Sequence, residues 1–229
     1  MAKNLKEGSK SYHSEAQIYE RFSEAEDYPD KILKFLKPKL KGKTILDLGC
    51  GNGKYAFFLS QFTKKYVGID ISKEQIINTK KKNKNHQNTK FICSSAEKIK
   101  LPSKSIDIVM STWVIGTING WNRKAKSLRE AERVLKNKGV IFLIENDIGG
   151  EFERIRGRFP NIERTKQYND WLMKNGFQIE KRIKTYFKFK SLEEERKIIG
   201  SIWGEKVGNL VRSKIIKHKV IIFKKLKRE

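Results

Sequence analysis

The residues best placed to do chemistry lie in the stretch Thr-Ile-Leu-Asp-Leu-Gly-Cys-Gly-Asn-Gly-Lys, positions 44–54. Asp47 precedes three glycines, Gly49, Gly51 and Gly53, at alternate positions. Glycine reaches backbone conformations closed to other residues and lets a ligand approach the main chain with no Cβ in the way. Such a turn before a helix leaves N–H groups free at a positive helix end, a cradle suited to holding a ligand. Asp70 follows about twenty residues after the turn, the spacing at which an acid reaches the ribose hydroxyls of an adenosine-containing ligand. Cys50 places a thiol inside the turn, where its position favours a backbone role over a reactive one.

Regular elements must hold these groups. The apolar, β-branched run Thr44 to Leu48 predicts a buried strand and Tyr55 to Leu59 the helix after the turn. Tyr66 to Ile71 predicts a second strand ending at Asp70, and Ser72 with Gln75 caps the next helix, which leaves Asp70 for a ligand. That helix runs into Lys80 to Lys90, expected to be a solvated surface turn. Further strands are expected from Lys90 and over Ser105 to Met110. Ala125, Leu128, Ala131, Val134 and Leu135 share a helical face, with Gly139 placed to end that helix. Val140 to Ile144 then predicts a fifth strand, with Glu145, Asn146 and Asp147 at the carboxyl end where open α/β sheets bind ligands. A helix over Tyr168 to Lys174, a period-two strand over Phe177 to Phe189 with one basic face, a helix over Ser191 to Ile202 and a last strand over Ile215 to Leu226 complete the chain. Before the first strand, a capping-box pattern at Ser14 and Gln17 starts a helix bearing Tyr19 and Arg21, and a second helix over Pro29 to Leu36 is expected to end at Pro38.

The dinucleotide fingerprint requires G-x-G-x-x-G; here Lys54 stands where the third glycine belongs, and no Gly-Lys-Ser/Thr completes a P-loop. What remains, Asp47-Leu48-Gly49-Cys50-Gly51-Asn52-Gly53, resembles the first motif of the class I S-adenosylmethionine-dependent methyltransferases. Ser95-Ala96-Glu97 before Leu101-Pro102 resembles the Asp-Ala-Glu and Leu-Pro of the type 11 group, with Ser95 where Asp is usual. The resemblance implies an α/β, Rossmann-like class I fold: a seven-stranded, mostly parallel sheet with an antiparallel C-terminal strand, helices on both faces and a small N-terminal helical cap. It implies one domain: cap 1–42, cofactor-binding core 43–149, and a sheet-completing part 150–229 with a helical insertion.

The resemblance also implies roles. Asp47, Gly49, Cys50 and Gly51 hold the methionine end of S-adenosylmethionine, Asp70 the ribose, Ile71 the adenine face, and Ser95, Ala96 and Glu97 the adenine edge. Ser111 lies beside the methionine moiety, and Tyr19 and Arg21 close over the cofactor. Trp113, Thr117, Trp121, Glu145 and Asp147 are acceptor-pocket candidates. Many relatives carry a histidine pair where this chain has Gly116 and Thr117, so chemistry using those imidazoles is absent. Catalysis is expected to be alignment of the acceptor with the sulfonium methyl and exclusion of water, the product being S-adenosylhomocysteine. A base, if one acts, would come from His13, Glu145 or Asp147.

Two cysteines, without Cys-x-x-Cys or paired histidines, argue against a disulfide framework or a metal site, and a cytoplasmic location is expected. No apolar run is long enough for a membrane span. The net charge of +25 invites an RNA partner, yet lysine outnumbers arginine roughly three to one and is scattered from Lys3 to Lys227. The leading expectation is therefore a small-molecule acceptor. RNA methylation over the basic surface is the alternative, and a protein methyltransferase or a non-catalytic cofactor-binding module the third. The lack of Asp/Asn-Pro-Pro-Tyr/Phe after Val109 disfavours methylation of an exocyclic base amine.

Overall fold

The computed structural model describes residues 16–156 and 162–227; His13 and Ser14 lie outside them. In chain order the elements are α1 (Ala16–Ala25), α2 (Lys31–Leu40), β1 (Thr44–Leu48), α3 (Lys54–Leu59), β2 (Lys65–Asp70), α4 (Lys73–Lys82), β3 (Thr89–Cys93), β4 (Ile106–Thr112), α5 (Trp121–Val134) and β5 (Leu135–Asn146). There follow α6 (Glu151–Ile155), α7 (Ile162–Lys174), β6 (Gln178–Lys188), α8 (Leu192–Trp203), α9 (Glu205–Gly208) and β7 (Ile215–Leu226).

Seven strands form one sheet in the order β3-β2-β1-β4-β5-β7-β6. β1 lies between β2 and β4, parallel to both, with Ile45 opposite Tyr66 on one side and Ile108 on the other. The direction of β7 follows from its hydrogen bonds. Asp147 donates to the Lys219 carbonyl and Lys227 to that of Gly139, so the partner's number rises along β7 as it falls along β5. Phe189 donating to Lys214 and Lys224 pairing with Glu180 give the same relation to β6. β7 is thus antiparallel to both neighbours in an otherwise parallel sheet, the arrangement expected for the Rossmann-like class I fold.

α7 begins at Ile162, well before the expected Tyr168, and two other helix ends differ from expectation for a visible reason. α2 continues past Pro38 to Leu40 because Ile32, Leu36 and Leu40 line one buried face at four-residue spacing. A proline in the last turn forfeits one ladder bond, a smaller loss than exposing Leu40. Gly139 does not end the helix over Trp121–Val134; it belongs to β5. Leu135 pairs with Ile106 and Val140 with Ile108, so the residues between bulge out of the ladder. A Cβ on Gly139 would lie 2.9 Å from the Lys136 carbonyl oxygen, which is why glycine stands there.

The described residues divide into two compact units, residues 32–145, 170–182 and 221–227 in one and residues 16–31, 146–156, 162–169 and 183–220 in the other. The first contains β1 to β4 and nearly all of β5, with Leu46, Ile69, Val109 and Leu143 fully or almost fully buried. Phe35 of α2 meets Phe142 edge-on at 6.1 Å, and Leu128, Ala131 and Val134 of α5 are buried along one face. The second unit has an aromatic core in which Phe22 stacks on Phe187 at 4.9 Å and meets Trp203 edge-on at 5.2 Å. Ile198, Ile199 and Ile202 of α8 complete it. Truncating Leu46 to alanine is expected to cost about 2–5 kcal/mol in urea unfolding, the range for a fully buried leucine in a site that cannot collapse.

Candidate functional site

The site begins where β1 stops. Gly49, Gly51 and Gly53 all take positive φ, 81°, 51° and 76°. The turn is drawn onto β2: Gly49 and Cys50 both donate to the Ile69 carbonyl, at 2.8 and 2.9 Å. Gly51 donates to Oδ2 of Asp70 at 3.0 Å, and Ser72 donates to Oδ1 of the same carboxylate at 2.8 Å. Asp70, buried at the end of β2, therefore grips both the glycine turn and the start of α4. A Cβ on Gly49 would lie 2.3 Å from Val114, so the glycine also admits the segment after β4 against the turn.

Asp47 is almost fully buried. Its Oδ2 accepts the Tyr66 hydroxyl at 2.7 Å across the β1–β2 pair, while its Oδ1 is buried with no hydrogen-bond partner. Burial pushes this carboxyl up to about 7 from 3.8, the Tyr66 hydroxyl working against that rise and the nearby Asp70 charge adding to it. Burial first, then the Asp47 and Asp70 charges, hold the Cys50 thiol well above its ordinary range, so it is no thiolate nucleophile.

The remaining candidates of the first unit gather along the neighbouring strand ends. Ser94 donates its N–H to the Asp70 carbonyl at 2.9 Å, which brings Ser95, Ala96 and Glu97 beside the end of β2. Ser95 Oγ accepts the Glu97 N–H at 3.1 Å. Glu97 binds Arg123 through Nε and Nη2 at 2.9 and 2.6 Å, and this bond chiefly holds its carboxyl below the usual range. Ile71 is 60% exposed just beyond Asp70. Ser111 is buried and donates to the Leu48 carbonyl at 3.0 Å, so its hydroxyl clasps the end of β1.

After β4, Trp113 takes a left-handed φ of 56° and donates its N–H to Ile144 at 2.8 Å. Lys124, on the buried face of α5, donates to the carbonyls of Ile115 and Gly116, both at 2.8 Å, and to that of Ile118. Glu145 Oε1 accepts the Gly116 N–H at 3.1 Å. One buried cation and one buried acid thus pin the segment from opposite polarities. Thr117 donates its hydroxyl to Val114 at 2.7 Å, and Trp121, 46% exposed, lies 5.3 Å from Trp171.

Tyr19, Arg21 and Asp147 belong to the other unit. There Arg21 pairs with Glu194 at 3.4 Å, the Tyr19 ring packs 5.9 Å from Phe22, and Asp147 accepts the Ile148 N–H at 2.8 Å. Sequence reasoning overlooked Tyr66, Arg123 and Lys124. Lys124 had a signal, since it sits four residues before Leu128 and seven before Ala131, on the apolar stripe. Among the described residues no group of histidine, cysteine and acidic side chains could hold a metal ion.

Residues 46–143 match the family model described as a methyltransferase domain. An uncharacterized protein of Methanocaldococcus jannaschii, MJ1252, is 29% identical over 205 residues, covering 84% of this chain and 75% of that protein. Phosphoethanolamine N-methyltransferase 3 of Arabidopsis thaliana is 29% identical over 92 residues, 39% of this chain and 18% of that protein. The structure of the N-methyltransferase NodS of Bradyrhizobium japonicum with S-adenosylhomocysteine superposes with a TM-score of 0.59 at 10% identity, covering 88% of this chain and 87% of that one.

The buried Asp47 predicts a pH signature. Its folded value near 7 lies above its ordinary 3.8, so its contribution to stability is full below pH 3.8 and is lost as pH rises through 7. Unfolding free energy of the unliganded chain should fall across that window by up to about 4 kcal/mol. Asp47→Asn should lack the Asp47 share of that fall and keep the part due to Glu195, whose carboxyl burial pushes up to about 8; identical pH profiles of the two proteins in urea unfolding would refute the assignment.

Proposed function

We propose that the chain is a class I S-adenosylmethionine-dependent methyltransferase, as the methyltransferase-domain match over residues 46–143 supports, and that its acceptor is a small molecule held beside the segment Trp113–Ile118. The observation that carries this proposal is the double fastening of that segment by Lys124 and Glu145. A wall whose carbonyls and N–H are tied from behind keeps its shape, which suits a small ligand gripped by a few groups. Phosphoethanolamine, in the name of the Arabidopsis relative, is an acceptor of that size.

S-adenosylmethionine supplies a methyl group on a sulfonium, which an acceptor lone pair displaces in line to leave S-adenosylhomocysteine. The residues present fit it. Asp47 Oδ1, buried and without a partner, offers the acceptor that an ammonium requires, and an incoming cation would lower the carboxyl again from about 7. The glycine turn gives the methionine end a close approach to the main chain. Asp70, already oriented by two backbone N–H groups, would accept from the ribose hydroxyls. Ile71 offers an exposed apolar surface to the adenine face, and Ser95 and Ala96 its edge contacts. Glu97 holds Arg123 and acts on that edge from a fixed position. Glu145 accepts a bond from the loop it supports, so we assign it a positioning role rather than that of a base.

Two measurements test this. Calorimetry should show S-adenosylmethionine affinity reduced at least about tenfold in Asp70→Ala, as expected for losing a charge-assisted bond; unchanged affinity would remove Asp70 from the cofactor site. Radiolabelled methyl transfer into fractionated cell extract should deliver counts to small molecules, and counts confined to RNA or protein would overturn the acceptor class.

A further inference from the structure

We propose that the first unit carries a second, separate ligand site, a docking surface for single-stranded nucleic acid between the end of α4 and the start of β3. A pocket of about 410 Å³ opens there, lined by Lys80, Lys84, Lys90, His86 and Gln87 among others. The three lysines are exposed, and among the described residues none makes an ion pair with a carboxylate. His86 is held in place by a 2.6 Å hydrogen bond between its Nδ1 and Ser60 Oγ. Against its ring lies Phe57, centroids 5.7 Å apart and planes 32° from parallel.

Phe57 and its neighbour Phe58 are 48% and 43% exposed, although α3 already buries Tyr55, Ala56 and Leu59 in the core. The two adjacent phenylalanines pack edge-on at 5.2 Å and leave about half of their surface open to water beside these lysines. Lys80, Lys81 and Lys82 by themselves are explained by the negative end of α4. Lys84 stands just past the Asn83 C-cap, and Lys90, on β3, has no such explanation. Unpaired lysines converging on a concave surface, with an aromatic platform fixed beside them, match a strand of phosphates whose bases stack in turn. Lysine point charges suit a flexible backbone that needs no bidentate geometry.

The lysines of this site stand apart from the cofactor cradle, although the buried Asn83 of its lining lies against Gly53 and Phe57 donates its N–H to the Gly53 carbonyl at 3.0 Å. Thr89 and Lys90 begin β3, while Asp70 pairs with Cys93 at its far end, a span of about 13 Å along the strand. It does not depend on which acceptor is methylated, since a tethering strand and a methyl acceptor occupy different ends of the sheet.

The test is fluorescence anisotropy with a labelled oligouridine about a dozen nucleotides long, titrated across a salt series. Lys80→Gln/Lys84→Gln/Lys90→Gln should weaken binding about tenfold or more and flatten the logarithmic salt slope by about two, from three contacts of about 0.7 each. Lys41→Gln/Lys100→Gln/Lys126→Gln removes the same charge from exposed positions elsewhere and should change affinity far less. Phe57→Ala should weaken binding by about tenfold with the salt slope unchanged. Calorimetry with S-adenosylmethionine on each variant separates lost docking from lost folding, and it reads the methyltransferase site independently. Equal weakening by the two triple variants, no response to Phe57→Ala, or preference for duplex RNA or anionic phospholipid vesicles over the oligouridine would each overturn the proposal.

Discussion

The carboxylate of Asp70 holds the working edge of this molecule together. It accepts from Gly51 on one side and Ser72 on the other, while its own carbonyl takes the N–H of Ser94. Three loops that follow three strands are thereby referred to one residue at the end of β2. The parallel pairing of β1 with β2 sets this up, because it brings Leu48 opposite Ile69 and delivers the turn at the height of Asp70. Without that register the left-handed glycines would have nothing to fold against. Under the proposed function the same carboxylate would also meet a sugar, so that structural and binding roles would fall on the same oxygens.

Asp47 shows the opposite economy. One oxygen is satisfied by Tyr66, the other is buried and open, and burial dominates its titration. An acid in that condition weakens the unliganded fold at neutral pH and gains when a cation arrives. Strain of this kind marks sites where stability is given up for binding.

Much of this was legible in the sequence because it depends on local rules. Ser72 accepts from the Gln75 N–H at 3.3 Å and Ser191 from that of Glu194 at 3.0 Å, as capping patterns read along the chain require. The strand over Ile215–Leu226 was visible from its composition, and the order of motifs was enough to place Asp70 beside Gly51. What stayed hidden depends on partners distant in sequence. Tyr66 reaches Asp47 only because two strands align, and Lys124 looks like one more surface lysine until three carbonyls converge on it. Gly139 read as a helix stop because glycine punctuation has several meanings, and only the bulge opposite Ile106 and Ile108 selects one.

The way the chain is divided has a consequence for its synthesis. Each compact unit is assembled from three separated stretches, and β7 contributes residues up to Val220 to one and from Ile221 onward to the other. A ribosome must therefore release the final strand before either unit has its full complement of residues, and no single cut in the gene would yield one unit intact. Until Val220 to Phe223 emerge, all four of them buried in the finished molecule, the nascent polypeptide carries an open sheet edge, the form in which a chaperone would first meet it.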